Sequence, residues 1–394
     1  MFTERINRIQ PSATLAMTSK AAELRAKGVD VINLSVGEPD FPTPQNIQKA
    51  AIKAMSDGFT RYTPGAGMMD LRQAAADKMK RDNNLDYGPK EIIVSCGGKH
   101  SLYNACQVLF QTGDEVIIFT PYWVSFPDFV AVTGATPVFV NTDASKQFEP
   151  DFNDLVGKLT SKTKGLIINS PSNPTGGVWS DEAVIKVLTI AKERDIWVFS
   201  DECYEQLTYD VKYTSTATLT DDASKILTFQ SCSKTYAMTG WRIGYTAGDP
   251  AVIKAMSKLQ GQSTSCPNSI AQVAAIEALS GEQSGVTEMR DAFKIRRDLI
   301  VNRFNSINGV TCEMPGGAFY VFPNFKNHLG KSFNGEKINT SSDLSMYFLN
   351  EKAVVTVSGD SFGAPNNIRF SYAASEEELN NALDRVEDAL NSLE

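Results

Sequence analysis

The chain has 394 residues, with 38 Lys+Arg against 46 Asp+Glu, a formal net charge of −8, and 42% hydrophobic against 21% charged residues. This is ordinary globular composition, long enough for two or three docked units, and it excludes a chain that is disordered throughout. A pI near 5.1 offers no general attraction to nucleic acid or to an anionic membrane surface, so neither is an expected partner.

The opening segment MFTERINRIQPSAT has no apolar core of the kind a signal peptide needs, and the most apolar stretch, 116–132, is broken by Pro121, Pro127 and Asp128. The six cysteines are scattered without CxxC spacing, and with only two histidines a Cys/His metal site is not expected. Dispersed thiols in a chain of this size suit a reducing, cytoplasmic setting. In chain order, residues 1–43 read as an N-terminal arm that wraps onto a smaller C-terminal domain or a second subunit. Thr43-Pro44 is predicted to cap a helix through Ile47, Ala51 and Met55 that stops near Gly58. Seven apolar runs then read as buried strands: EIIVS (91–95), EVIIF (115–119), TPVFV (136–140), GLIIN (165–169), IWVFS (196–200), KILTFQ (225–230) and IGYTAG (243–248). Stretches of helical spacing separate most of them, which predicts an α/β large domain over 44–290, with a mainly parallel seven-stranded sheet covered by helices. Residues 291–394 read as a smaller α+β domain, with AFYVF (318–322), VVTVS (354–358) and IRFSY (368–372) as strands. The polar stretch 325–343 is expected as surface loops, and Ser375 with Glu378 forms a capping box for the last helix.

In an open α/β sheet, ligands bind beyond the carboxyl ends of the strands. Asp201 directly follows IWVFS, Ser231 and Lys234 follow KILTFQ, and Asn173 lies just past GLIIN. Gly97-Gly98-Lys99 follows EIIVS, where glycines and a helix N-terminus can receive a phosphate. Alone that segment reads most simply as a tight turn, since neither the Walker spacing nor GxGxxG occurs. The stretch SCSKTYAMTGWRIGY (231–245) is more specific: a desolvated lysine near other cations can form a Schiff base with a carbonyl, and an arginine eight residues on offers a planar fork to phosphate oxygens.

These segments, with SPSNPTG (170–176), SDECY (200–204) and NIRFSY (367–372), resemble the class I aminotransferases of pyridoxal-phosphate fold type I. PSAT (11–14), GEPDFPTP (37–44), PYW (121–123) and GGK (97–99) narrow the resemblance to the bacterial aspartate aminotransferases of subgroup Ib. The resemblance implies pyridoxal 5'-phosphate as cofactor and assigns the roles as follows. Lys234 holds the cofactor and shuttles the proton, Asp201 pairs with the ring nitrogen, and Tyr204 and Asn173 bond the ring oxygen while Trp123 stacks on the ring. The phosphate rests on Gly98, Lys99, Ser231 and Arg242, with Tyr62 supplied by the second subunit of a homodimer. Arg369, helped by Asn173, Trp123 and Gly37, clamps the substrate α-carboxylate. Lys99, Ser12 and Thr14 meet the distal carboxylate.

Each position also has a plainer structural alternative: an N-cap for Asp201, core packing for Trp123 and Tyr204, a turn for Asn173, a surface ion pair for Arg369, solvent for Lys99. His100 and His328 match no catalytic position and are read as structural. The expected reaction moves the amino group of aspartate to 2-oxoglutarate, with amino acids and 2-oxo acids as the small-molecule partners. A transaminase of aromatic, alanine or prephenate specificity, or a lyase on the same scaffold, is the alternative. Gln10 stands where relatives that accept prephenate tend to carry a basic residue, which argues against that substrate.

Overall fold

The computed structural model describes residues 2–9 and 13–394. All seven apolar runs form strands of one sheet, in the spatial order Ile92–Ser95, Gly244–Ala247, Ile226–Ser231, Trp197–Asp201, Thr163–Asn169, Glu115–Phe119 and Thr136–Val140. Six of them run in one direction, while Gly244–Ala247 is antiparallel to both of its neighbours. The cause is the short link after Ser231. It contains only the turn of helix Cys232–Thr235 and a 3-10 turn at Thr239–Trp241, too little chain for a covered crossover. Inside the sheet, Gly244–Ala247 and Ile226–Ser231 are buried along their whole length, as continuous apolar runs require. Thr136–Val140 is an exception to the expectation of burial: it lies at one edge of the sheet and only Val140 is buried, whereas the other edge strand, Ile92–Ser95, is buried throughout beneath helices Met69–Asn83 and Pro250–Ser263.

Helices on both faces close two layers of core over this sheet. A further core lies on a three-stranded sheet of Tyr320–Val321, Ile368–Ser371 and Val357–Ser358. Helix Ser284–Ser306 joins them, with Val286 packed in the first core and Met289, Phe293, Ile300 and Phe304 in the other. Glu376–Asn391 begins at the expected Ser375/Glu378 capping box and buries Leu379, Leu383, Val386 and Leu390 at helical spacing. Strand Ile32–Asn33 pairs in parallel with Val354–Val355, so the N-terminal segment does seat on the C-terminal part of the chain.

Three local expectations need correction. Helix Gln45–Ser56 is not capped by Thr43 and exposes Met55; it buries Ile47, Ala51 and Ala54. The Thr43 hydroxyl instead donates to the Ala237 carbonyl (2.6 Å) and accepts from Trp241 Nε1 (2.9 Å), tying the arm to the loop after Lys234. A longer helix, Ala13–Ala26, precedes the one expected to come first. The polar stretch 325–343 is more than loop: it holds the hairpin Ser332–Phe333/Glu336–Lys337 and the capping box of helix Ser341–Lys352, with Phe325 and His328 buried.

Candidate active site

The carboxyl ends of the parallel strands and the small sheet enclose a cavity of about 380 Å³. Its lining includes Gly37, Gly98, Lys99, Trp123, Asn173, Asp201, Tyr204, Ser231, Lys234, Arg242 and Arg369, residues drawn from well-separated stretches of sequence. Helix Gly98–Leu109 opens at one side of it, where first-turn N–H groups have no intrahelical acceptor. Two glycines make this approach possible. Gly97 has φ +89°, and a Cβ there would lie 2.5 Å from an Arg242 guanidinium nitrogen; a Cβ on Gly244 would lie 2.2 Å from Gly98 N. Arg242 is itself turned in by a left-handed backbone (φ +59°) and donates to the Thr239 carbonyl (2.8 Å). The Ser231 hydroxyl accepts from Ser233 N (3.1 Å) beside the same helix end. Arginine, serine hydroxyls and a helix N-terminus together form a receptor for a phosphate.

Asp201 lies at the end of its strand, 6% exposed; among the described residues its carboxylate accepts one hydrogen bond, from Cys203 N (3.2 Å). Burial pushes its carboxyl up to about 7; the Cys203 bond opposes this, and the Glu202 charge adds to it. Lys234 Nζ donates to the Gly37 carbonyl, and burial lowers its proton affinity, with Arg369 and Arg242 acting in the same direction and Cys203 and Glu38 opposing. Lys99 Nζ stands 4.9 Å from the Trp123 ring centre and is also lowered, first by burial and then by Arg242.

Arg369 is buried, yet among the described residues it has no ion-pair partner. It donates to Asn173 Oδ1 (2.9 Å) and the Ser35 carbonyl (2.6 Å), while Nε has no partner. Its guanidinium carbon lies 4.5 Å from the Tyr320 ring centre and 5.2 Å from that of Phe362. A desolvated guanidinium with unused donors, held between two aromatic faces, is arranged to receive a carboxylate.

Tyr320 was missed in the sequence, where AFYVF reads as an apolar strand. Its hydroxyl meets that of Tyr204 at 3.0 Å. A buried tyrosine needs a polar partner, and that requirement was the available signal. Asn169 was missed too: it accepts from Asn173 N (2.9 Å) and donates to the Asp201 carbonyl (3.2 Å), binding the 170–176 loop to the strand end. Tyr62 is not brought to the cavity by its own chain and is 89% exposed. Thr14 falls in helix Ala13–Ala26, but its side chain, like Ser12, lies outside the described residues. His100 accepts from Cys96 N (3.4 Å) and His328 meets the Asn308 carbonyl (2.9 Å), contacts that suit structural roles. Among the described residues, no cluster of potential metal ligands occurs, and no helix is long and apolar enough to cross a membrane.

A family profile described as "Aminotransferase class I and II" matches residues 29–386. A protein of Rhizobium leguminosarum bv. phaseoli named "Probable aspartate/prephenate aminotransferase" is 46% identical over 391 residues, covering 98% of each chain. Among solved structures, the aspartate aminotransferase from Rhizobium meliloti superposes with a TM-score of 0.96 at 40% identity over 100% of both chains. That of Thermus thermophilus with maleate gives 0.93 at 39% identity over 99% of each.

The titration of Asp201 provides a direct check on the site without cofactor. A carboxyl raised to about 7 stabilises the fold when protonated; that contribution is complete below about pH 4 and is lost as pH rises through 7. Denaturant titration of the cofactor-free protein is expected to show a fall of about 3–4 kcal/mol across this window. The Asp201→Asn variant lacks this component, and parallel pH profiles for the two proteins would contradict the buried-acid assignment.

Proposed function

The chain belongs to the class I and II aminotransferase family, and from that membership we propose an aspartate aminotransferase that moves the amino group of L-aspartate to 2-oxoglutarate, giving oxaloacetate and L-glutamate. The observation that carries the substrate side is Arg369, buried, without an ion-pair partner among the described residues and with Nε unused. Members of the family depend on pyridoxal 5'-phosphate, which supplies an aldehyde for amino groups and a ring that accepts the electrons left at Cα. The residues present fit it: a phosphate receptor at Gly98, Ser231 and Arg242, the Trp123 ring, a buried acid and a half-buried lysine share one cavity.

Within that reading, Lys234 is the covalent anchor and the base that takes the proton from Cα and returns it. Burial and two neighbouring guanidiniums keep its amine poised to lose a proton. Asp201 would hold a proton on the ring nitrogen, and a cation there would in turn let its carboxyl ionise. Tyr204 and Asn173 orient the ring oxygen, and the Tyr320 hydroxyl fixes Tyr204. Arg369 takes the α-carboxylate with the Asn173 amide and Gly37 beside it, while Lys99 takes the distal carboxylate, with Ser12 and Thr14 assigned to the same end. The structure of the Thermus thermophilus relative with maleate, a dicarboxylate, supports the reading of a substrate with two carboxylates.

We assign residues 1–43 to the arm and part of a small domain, 44–290 to the large domain and 291–394 to the small one. Exposed Tyr62, and an open apolar groove of Ile52, Met55, Trp241 and Ile270, support a homodimer in which Tyr62 completes the second subunit's phosphate site. The free cysteines support a cytoplasmic setting. Sedimentation at assay concentration is expected to give twice the 43.1 kDa chain mass, and a fully active monomer would refute the shared site.

Lys99→Ala tests the acidic-substrate reading. It leaves a substrate carboxylate unpaired in a partly dry site, which costs about 2–5 kcal/mol, or at least roughly a 30-fold fall in kcat/KM for aspartate. Phenylalanine is expected to lose far less; equal losses would assign Lys99 to the cofactor or the fold. Prephenate is the second reading, favoured by the name of the Rhizobium leguminosarum relative and opposed by Gln10, which lies outside the described residues. Transamination of prephenate is expected to be much slower than that of oxaloacetate, and comparable rates would establish the wider specificity.

A further inference from the structure

Beside the cavity floor lies a second polar cluster, closed to solvent, that the reaction as described does not use. Lys78, Asn83, Glu202, Glu205 and Gln230 are all buried there. Lys78 Nζ pairs with Glu205 and donates to Asn83 Oδ1 (2.9 Å) and Gln230 Oε1 (3.0 Å). Asn83 Nδ2 donates to the other Glu205 oxygen (3.2 Å), and Gln230 Nε2 reaches Glu202 Oε2 (3.3 Å). Glu202 also accepts from Ser200 Oγ (3.0 Å), Ser215 Oγ (2.7 Å) and Thr216 N (3.0 Å).

Charge within this cluster does not balance. Two carboxylates face one ammonium, and among the described residues neither carboxylate has a further ion-pair partner. Burial, with the Glu205 charge, raises the Glu202 carboxyl on balance, while the donors from Ser215, Thr216, Ser200 and Gln230 converge on its two oxygens and favour the charged form. For stability alone, apolar residues of similar volume would serve as well or better. The sequence pattern is informative: in Asp201-Glu202-Cys203-Tyr204-Glu205, Asp201 and Tyr204 line the cavity and each is followed directly by one of the buried carboxylates, with Cys203 lining the cavity between them. Gln230, the cluster's link to Glu202, itself lines the cavity and precedes Ser231.

We propose that Glu202 and Glu205, tied together by Lys78 and Gln230, are positioning residues that fix Asp201 and Tyr204, and that their excess negative charge favours a cationic ring nitrogen against Asp201. This rests on the reading that Asp201 faces that nitrogen. A negative charge behind Asp201 makes its ionisation harder in the empty cavity and rewards a cation placed on its other side. The effect is electrostatic and therefore specific to ligands that carry the nitrogen.

The test compares dissociation constants for pyridoxal phosphate and for its analogue with CH in place of the ring nitrogen, titrated into full-length cofactor-free protein. The wild type is expected to prefer the nitrogen-containing ligand, and Asp201→Asn to lose most of that preference. Glu202→Gln is expected to reduce it by about tenfold, a size consistent with one charge at an effective dielectric constant near 20. Glu205→Gln should act in the same direction, and it carries the test should Glu202→Gln not fold, as judged by circular dichroism. If a folded glutamine variant weakens both ligands equally, the cluster is only structural and the proposal is overturned. If Asp201→Asn keeps the full preference, it is the Asp201 reading that fails, and the two failures are thereby distinguished.

Discussion

Asp201 and Arg369, both buried, share one cavity with the half-buried Lys234, and among the described residues no ion pair forms between any two of them. Ionised groups removed from water are costly unless paired, and a chain free to collapse would bring such groups together or expose them. Keeping them apart demands that each be fixed by a different part of the scaffold. Asp201 ends one strand of the large sheet, Lys234 follows another, and Arg369 lies in the small sheet. Burial thus leaves the charged groups of the cavity electrostatically strained, visible in a carboxyl pushed up and two amines and a guanidinium pulled down. On the reading proposed above, a ligand with a phosphate, a cationic ring nitrogen and carboxylates would relieve each of these at once.

Rigidity near the site comes from hydrogen bonds that cross between chain segments. Asn169 ties the 170–176 loop to the Asp201 carbonyl, Thr43 ties the arm to Ala237 and Trp241, and Arg369 reaches both Asn173 and Ser35. The pairing of Ile32–Asn33 with Val354–Val355 carries Ser35 and Gly37 to the cavity from a segment that would otherwise be a free arm. Preorganisation of this kind keeps charged groups aimed at the reacting atoms without reorganisation when substrate binds.

The large sheet was legible because its strands are buried on both faces and so read as unbroken apolar runs, and strand ends then located Asp201, Ser231 and Lys234. The edge strand deceived for the same reason, since TPVFV is apolar without being covered. Thr43 looked like a helix cap because local spacing cannot reveal a partner nearly two hundred residues away. Tyr320 and the Lys78–Glu205 pair were invisible for the same cause: their meaning lies in contacts across long sequence separations, and their own neighbourhoods read as strand and amphipathic helix. Tyr62 is the converse. Its exposure in a single chain is uninformative until a second copy is considered.

The two cavity lysines show how position separates roles for one residue type. Burial lowers both, but Lys234 is enclosed and directed at the Gly37 carbonyl, whereas Lys99 rests over the Trp123 ring, an attractive but non-ionic partner. A cation–π contact holds an ammonium without neutralising it, so Lys99 can leave the ring for a carboxylate and return when none is offered. Arg369 has no such freedom: two hydrogen bonds and two aromatic faces fix its fork. Every amino acid carries an α-carboxylate and only some carry a second. A rigid arginine for the shared group and a movable lysine for the variable one therefore match the chemistry of the two ends of the substrate.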